Sequence, residues 1–479
     1  MGSANEQLFQ QRLKRYVTAM RNGKPDMVPI RPFVAEFTAK YAGMTCQEVS
    51  LDYNLAFQAA RKCAADFDWD AVVGNMVYVW TGLTEAIGLK YYGVPGIHFE
   101  PDMAFQYREP AEDAAFMKAD EYDALIDDPT GYMYETWLPR ASAAVCGPGQ
   151  VVTKENNLSF TKGGMAMLAY FNAFGEQARL MREEAAMPGA ICGILKAPLD
   201  ILADKFRGYL GLLDDLRTQP EKVKAACEAI APHLYNVALG SSDPTGTVPV
   251  GFWMHRSCVP FVSFDTFNEI FWPTLKPIIL ELWKQGRQTL FYAEGNWNHH
   301  LDRFAELPAG SIVYHVDQGD IFRVHEVLGK KFCLSGGIPN AMLSYGSPEE
   351  VRQRVTEVIE GVAQDGGYIL DASAIVQNDA SIENMRVMTQ TGREIGRYAE
   401  NSGDYALPEP LTSLGPEFDS GLYNPDWARS RLQPGVCIPW EARKSQLPPI
   451  IGDEALVRRI WEEVDAYGNM YIWQVLLSF

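Results

Sequence analysis

Basic residues are in short supply. Lys and Arg number 42 against 61 Asp and Glu, giving a formal net charge of -19 at pH 7 and a pI of about 4.9. That shortage argues against nucleic acid or an anionic membrane as the main partner, because phosphates demand a basic face. The eight cysteines are scattered, with no CxxC pair and no regular disulfide spacing, and a chain this long does not need staples. No uninterrupted apolar stretch reaches the ~18 residues of a membrane span. The opening MGSANEQLFQQRLKRY lacks the apolar centre of a secretory signal. The expectation is a cytoplasmic protein with reduced thiols. Phosphate-cradling loops are missing as well. Gly336-Gly337 follows an apolar run, but neither GxGxxG nor GxxxxGK[ST] occurs there, so these glycines read as a tight turn.

What is present is enough apolar material for a large core: 47% hydrophobic and 12% aromatic residues. Residues 5–22 have helical spacing, and MVPIRPFV, with Pro29 and Pro32, reads as an edge or rim strand. Leu55 to Phe67 reads as a helix and DAVVGNMVYVW (Asp70 to Trp80) as a buried strand, followed by a hairpin or loop excursion over 86–112. Long helices are expected around 159–187, then the strand ICGILKAP, a helix from Glu221 to Ala238, the strand VPVGFWMH and a helix from Thr266 to Gly286. Four short apolar runs come next: LFYAEGNW, IVYHVDQGD, FCLSGGIP and YILDASA. Regular alternation to about Ala399 fits roughly eight β-α units, which predicts an α/β fold of the (β/α)8 TIM-barrel type over 1–400, with an N-terminal helical segment. Residues 401–479 read as an extension that wraps the barrel or an oligomer partner. Its last helix, Glu454 to Tyr467, carries Leu456, Ile460 and Val464 on one face.

Each of the four runs stops at residues able to do chemistry. Glu294, His315 and, one strand earlier, His255 sit where an apolar run meets its loop. Neighbouring barrel strands lie ~4.8 Å apart, so their rim side chains can converge on one ion. Five of the seven histidines fall between 255 and 325. One reading makes Glu294, His315, His255 and Cys258 zinc ligands with a position open to substrate; the other makes Glu294 and His315 hydrogen-bonding groups without a metal. Asp317, Asp320 and Asp371 also end runs, and each is either a general acid with a raised pKa or a cap or partner to His315. Asp317, Asp371 and Tyr292 are candidate catalytic residues. Trp80, Trp253, Trp297 and Asn296 are candidate substrate contacts, whereas His299 and His300 read as ordinary residues of the following helix.

Four segments together resemble the uroporphyrinogen decarboxylase superfamily: GKPDMVPIRPFVAEFTAKYAGMT, APLDILADKFRGYLGLLDDLRTQPEKV, LSGGIPNAMLSYGSPEEVRQRV and GGYILDASAIVQNDASIENMRVM. The resemblance covers most of the chain up to about residue 400 and implies a TIM barrel. The superfamily contains decarboxylases and cobalamin-dependent methyltransferases. Its decarboxylases grip substrate carboxylates with an Arg-rich R-Q-A-G-R segment. The matching RPFVAEFTAKYAG here holds Arg31 alone, which disfavours a polycarboxylated tetrapyrrole. Thiol- and amine-type methyltransferases carry H-x-C at a strand end and a distant Cys. Here Tyr292 and Glu294 stand in the first place, and Ser373 or Ala374 falls near the second.

A carboxylate in place of a thiolate suits an oxygen substrate. It is similar to the ether-cleaving methyltransferases of anaerobic O-demethylase systems, which have a Glu-x14-Glu-x20-His zinc pattern. Glu294 and His315 match its second half; its first Glu would fall at Ile279, leaving His255 or Cys258 as the third ligand. The resemblance thus implies a zinc-assisted transfer of a methyl group from a methoxylated, aromatic compound to cob(I)alamin on a separate corrinoid protein. A homodimer is compatible with it. The alternatives are a decarboxylase of the same fold and a non-catalytic corrinoid- or ligand-binding scaffold.

Overall fold

The computed structural model describes residues 4–73, 76–258, 260–398, 414–415, 417–424, 430 and 432–477. Its centre is a closed ring of parallel strands. The first two, residues 28–34 (β1) and 71–73 (β2), are extended segments held to their neighbours by isolated bridges and not by a continuous ladder. Six more follow in chain order as neighbours: β3 (Cys192–Lys196), β4 (Val250–Met254), β5 (Thr289–Ala293), β6 (Ile312–Val316), β7 (Cys333–Gly336) and β8 (Tyr368–Ile369). Parallel bridges Ile30–Leu370 and Val34–Val376 join β8 to β1, and Val72–Gly189 joins β2 to β3. Between β1 and β2 the Asp70 N–H donates to the Ile30 carbonyl at 2.8 Å, while the Asp70 carboxylate accepts the Ile30 N–H at 2.8 Å. The ring is therefore a (β/α)8 barrel, as the alternation implies.

Two strand expectations need correction. MVPIRPFV is not at an edge, because a closed barrel has none; the bonded Ile30 and Arg31 N–H groups lie between its two prolines. The run Asp70 to Trp80 makes one parallel bridge, at Val72, and a helix, Met76–Ile87, takes over. An unbroken apolar run fits a buried helix as well as a buried strand, so periodicity alone could not separate them. Elsewhere, Ser347 and Glu350 form a reciprocal capping box ahead of the helix Pro348–Val362. Gly336 and Gly337 take φ of 91° and 86° in the turn after β7.

Side chains of each strand alternate between the barrel interior and the helical shell. The lower interior holds Leu290, Val313, Cys333 and Ile369, packed against Tyr16, Val17 and Met20 of the N-terminal helix Ala4–Met20. Burial of large apolar side chains stabilises by roughly 1.5–3 kcal/mol each, so this helix closes the N-terminal end of the barrel firmly. Only the opposite end is left for chemistry.

The C-terminal helix runs Glu454–Leu477, ten residues beyond the expected Tyr467, and its last part is buried. There Trp473 stacks on His233 at 4.8 Å and donates to the Thr130 hydroxyl at 3.1 Å. No helix among the described residues is long and apolar enough to cross a membrane.

Candidate active site at the barrel mouth

Strand register decides which of the run-ending residues meet. Trp253 pairs with Tyr292, Tyr292 with His315, and His315 with Ser335. One pair further along, Met254, Ala293 and Val316 are level. The next inward-facing set is therefore His255, Glu294 and Asp317, at the mouth. His315 lies a layer below, beside Tyr292 and not beside Glu294.

The lower layer is a sealed polar network. The Tyr292 and His315 rings stack at 4.1 Å. His315 Nε2 lies 2.7 Å from the Ser373 carbonyl, so it carries the hydrogen; Nδ1 must then accept from the Ser335 hydroxyl at 2.9 Å. Burial, with the nearby Arg31 charge, pulls the His315 pKa down to about 3 and keeps the ring neutral. Arg31 and Asp371, both wholly buried, are ion-paired at 2.9 Å, and Asp371 also accepts the Phe33 N–H at 2.9 Å. Burial still pushes Asp371 up to about 6, against the pull of Arg31. The Tyr292 hydroxyl is buried without a hydrogen-bond partner among the described residues.

Above it, the mouth is charged and partly open. Asp204, on the π-helical turn Leu202–Arg207 that follows β3, collects three cations: Lys196 at 2.7 Å, His255 at 3.1 Å and Arg256 at 3.1 Å. Burial works against the imidazolium of His255, but the Asp204 charge outweighs it and raises that pKa. Asp204 itself is held well below the carboxylate range; burial opposes this, and His255 and Lys196 prevail. Asp200, one helical turn before Asp204, accepts from the Ser257 hydroxyl at 2.9 Å and the Arg256 N–H at 3.1 Å. Glu294 and Asp317 behave oppositely to Asp204. Burial pushes Glu294 upward, with the His255 charge opposing, and pushes Asp317 up to about 6 against one N–H donated by Gly295 at 2.7 Å. Two carboxyls with raised pKa thus stand beside a cluster of basic groups.

Other candidate residues are placed elsewhere. Trp297 is buried in the helical shell against Phe271 and Phe291, its ring N–H on the Glu294 carbonyl at 2.8 Å, so it does not line the mouth. Trp253 is only 2% exposed, packed edge-on to Phe33 in the barrel interior. The Asn296 side chain accepts the Asn298 N–H within its own turn. Asp320 caps the helix Ile321–Leu328. His300 stacks on Phe267 at 3.6 Å as a packing residue. The side chain of Trp80 lies outside the described residues. Lys196, Asp204 and Arg256 were missed from the sequence. The available signal was Lys196 itself, a lysine inside an otherwise apolar strand run, which burial obliges to find a carboxylate.

The zinc set does not fit these residues. Both His315 nitrogens are engaged, and register puts the ring a layer beneath Glu294. Cys258 is buried, and its thiol is already engaged, donating to the His255 carbonyl at 3.3 Å. Among the described residues no three His, Cys, Asp or Glu side chains are gathered to hold a metal.

A parallel barrel with its acid-base groups at the strand C-termini is the architecture of a TIM-barrel enzyme site. Residues 165–395 match the family model of uroporphyrinogen decarboxylase (URO-D). Among solved structures, a methyltransferase from Methanosarcina mazei shares the fold, with a TM-score of 0.54 and 15% identity over 80% of this chain and 98% of that one. A B12-independent methionine synthase from Shewanella sp. W3-18-1 aligns over 46% of this chain and 66% of its own, with 16% identity and a TM-score of 0.31, too low to argue from. No curated protein sequence matches the chain.

Proposed function

We propose that the chain is a methyltransferase that cleaves a methyl ether, of a methoxylated aromatic compound, and delivers the methyl group to cob(I)alamin carried by a separate corrinoid protein. The observation that carries this reading is the pair of carboxyls with raised pKa, Glu294 and Asp317, level with each other at the open end of β5 and β6. An aryl methyl ether leaves poorly as a free phenolate, and a proton delivered to its oxygen removes that obstacle. The corrinoid supplies the nucleophile that takes the methyl carbon.

Every other part falls to this chain. Asp317, protonated below about pH 6, donates to the ether oxygen, and Glu294 shares or relays the proton. His255, whose pKa the Asp204 charge raises against burial, together with Arg256 stabilises the negative charge that develops on the leaving oxygen. No metal is needed for these steps.

The decarboxylase alternative is disfavoured by Arg31. The one arginine of the segment that would grip carboxylates is wholly buried on Asp371 and cannot reach a substrate. The test is a panel of methoxylated aromatics incubated with reduced corrinoid protein, followed by the spectral change on methylation. Activity in wild type that drops at least ~100-fold in Asp317→Asn and Glu294→Gln supports the reading. Undiminished turnover in both variants would remove it.

A further inference from the structure

The excursion that follows the helix Met76–Ile87 closes as a small antiparallel hairpin, in which Tyr92 pairs with Tyr107 and Gly93 with Gln106. Both paired tyrosines reach the π-helical turn Leu202–Arg207 at the barrel mouth. The Tyr107 hydroxyl donates to the Asp204 backbone carbonyl at 2.7 Å, and the Tyr92 hydroxyl accepts from Lys205 Nζ at 3.0 Å. The hairpin therefore braces the turn whose carboxylate gathers Lys196, His255 and Arg256.

The same hairpin flanks Arg256. The guanidinium carbon lies 5.4 Å from the centre of the Tyr107 ring and 5.5 Å from that of Tyr209, within reach of a cation–π attraction. Tyr209 is itself fixed from two sides. Its N–H donates to the carboxylate of Glu109, two residues beyond Tyr107, and its ring meets Phe261 edge-on at 5.0 Å. Arg256 Nε donates to the Asp204 carboxylate at 3.1 Å. Its terminal nitrogens make no hydrogen bond among the described residues, with Glu109 standing 3.9 Å from one of them, and the side chain is 22% exposed. The outer edge of the guanidinium is thus left for whatever enters the mouth, while two rings and one carboxylate set its plane. A guanidinium donates only within its own plane, unlike the rotating ammonium of a lysine, so the groups that set the plane decide where the donors point.

We infer that Tyr107 is a positioning residue for the methyl transfer: through the Asp204 carbonyl and the face of Arg256, it aims the guanidinium edge at the oxygen on which negative charge develops. The inference rests on the role proposed above for Arg256. Tyr107 acts by two separable means. Its hydroxyl steadies the turn that carries Asp204, and its ring steadies Arg256.

Variants of the full chain at position 107 separate the two. In Tyr107→Leu, kcat for methyl transfer should fall about 10–100-fold, the loss that a misplacement of about 1 Å brings, with KM changed by less than about 3-fold. Tyr107→Phe, which keeps the ring, should retain most of the activity. Tyr107→Gln, which keeps a donor for the Asp204 carbonyl but no ring, should lose as much as Tyr107→Leu, and it keeps the test decisive if the leucine variant does not fold. Added to Arg256→Ala, the loss of the ring should cost less than about 3-fold further, because coupled residues are not additive. A readout independent of turnover is the Nε–H NMR signal of Arg256, assigned with Arg256→Lys. It should lose its ring-current shift in Tyr107→Leu and Tyr107→Gln and keep it in Tyr107→Phe. An unmoved Arg256 signal in the variants without the ring, an unchanged kcat, or a full additive loss in the double variant would overturn the inference. A wild type that transfers no methyl group would instead remove the reading of the mouth on which the inference rests, whatever the Arg256 signal does.

Discussion

Asp204→Asn is the most informative single change at the mouth. The substitution keeps shape and one acceptor oxygen but removes the charge shared by Lys196 at 2.7 Å, His255 at 3.1 Å and Arg256 at 3.1 Å. Asp204 and Lys196 are only 3% and 2% exposed, so solvent screens their pairing little. Breaking a buried pair from one side costs about 3–5 kcal/mol. The sign of the pH effect follows from His255. Its folded pKa is raised above the ordinary 6.5, so its contribution is complete below pH 6.5 and fades as pH rises through the folded value. The Asp204 pKa is depressed, so its contribution is complete above its ordinary 3.8 and fades as pH falls toward the folded value. Wild type should gain most from the cluster between these limits, and the variant should lose that gain. Urea midpoints measured from pH 4.5 to 9 read the stability loss. The seven histidines are few enough to follow His255 by NMR, assigned with His255→Gln. A loss below about 1 kcal/mol, or an unshifted His255 titration, would refute the role given to Asp204.

Further outcomes follow from the two layers of the site. Asp317→Asn should abolish the fall in activity that wild type shows as pH rises through about 6. The same variant should be the more stable protein at pH 8, because a carboxyl with a raised folded pKa opposes folding once pH exceeds its ordinary 3.8; thermal scans at pH 4 and pH 8 check this. Tyr292→Phe removes a buried hydroxyl that lacks a partner. It should leave stability unchanged or raise it by about 1 kcal/mol in denaturant unfolding. Ser335→Ala strips the donor from His315 Nδ1 and should cost about 1–3 kcal/mol in denaturant unfolding. Trp473→Ala should cost about 3–5 kcal/mol and expose the C-terminal helix to limited proteolysis, since it removes the stack on His233.

Much of this architecture is legible in the sequence, for a physical reason. A parallel strand buried on both faces reads as a short, largely apolar run, and β4 to β8 do so, whereas β3 carries Lys196 and is only partly buried over Cys192–Ile194. β2 does not read as such a run, because its three residues flow into an apolar helix with only Gly74 and Asn75 between. The mouth was half legible. Glu294, Asp317 and His255 stand out because they break apolar runs. The depth of His315 was hidden, because depth depends on register, and register is a property of the paired strands. Lys196 stands out as a lysine in an apolar run, but its partner Asp204, eight positions on, is fixed only by the helical turn that follows β3. The charges the sequence could not assign are those whose partners the fold supplies.

The central claim is that carboxyl groups at the barrel mouth, without a thiolate metal site, drive methyl-ether cleavage. The direct measurement is single-turnover methylation of cob(I)alamin from a methoxylated aromatic, with the chelator-treated full chain, recorded from pH 5 to 9 for wild type and Asp317→Asn. The account expects methylcobalamin and the free phenol in equal amounts from wild type, with a rate that falls above about pH 6 and a flat, much slower profile in the variant. No methylcobalamin from any methoxylated substrate, or a variant with the wild-type rate and pH profile, would contradict it.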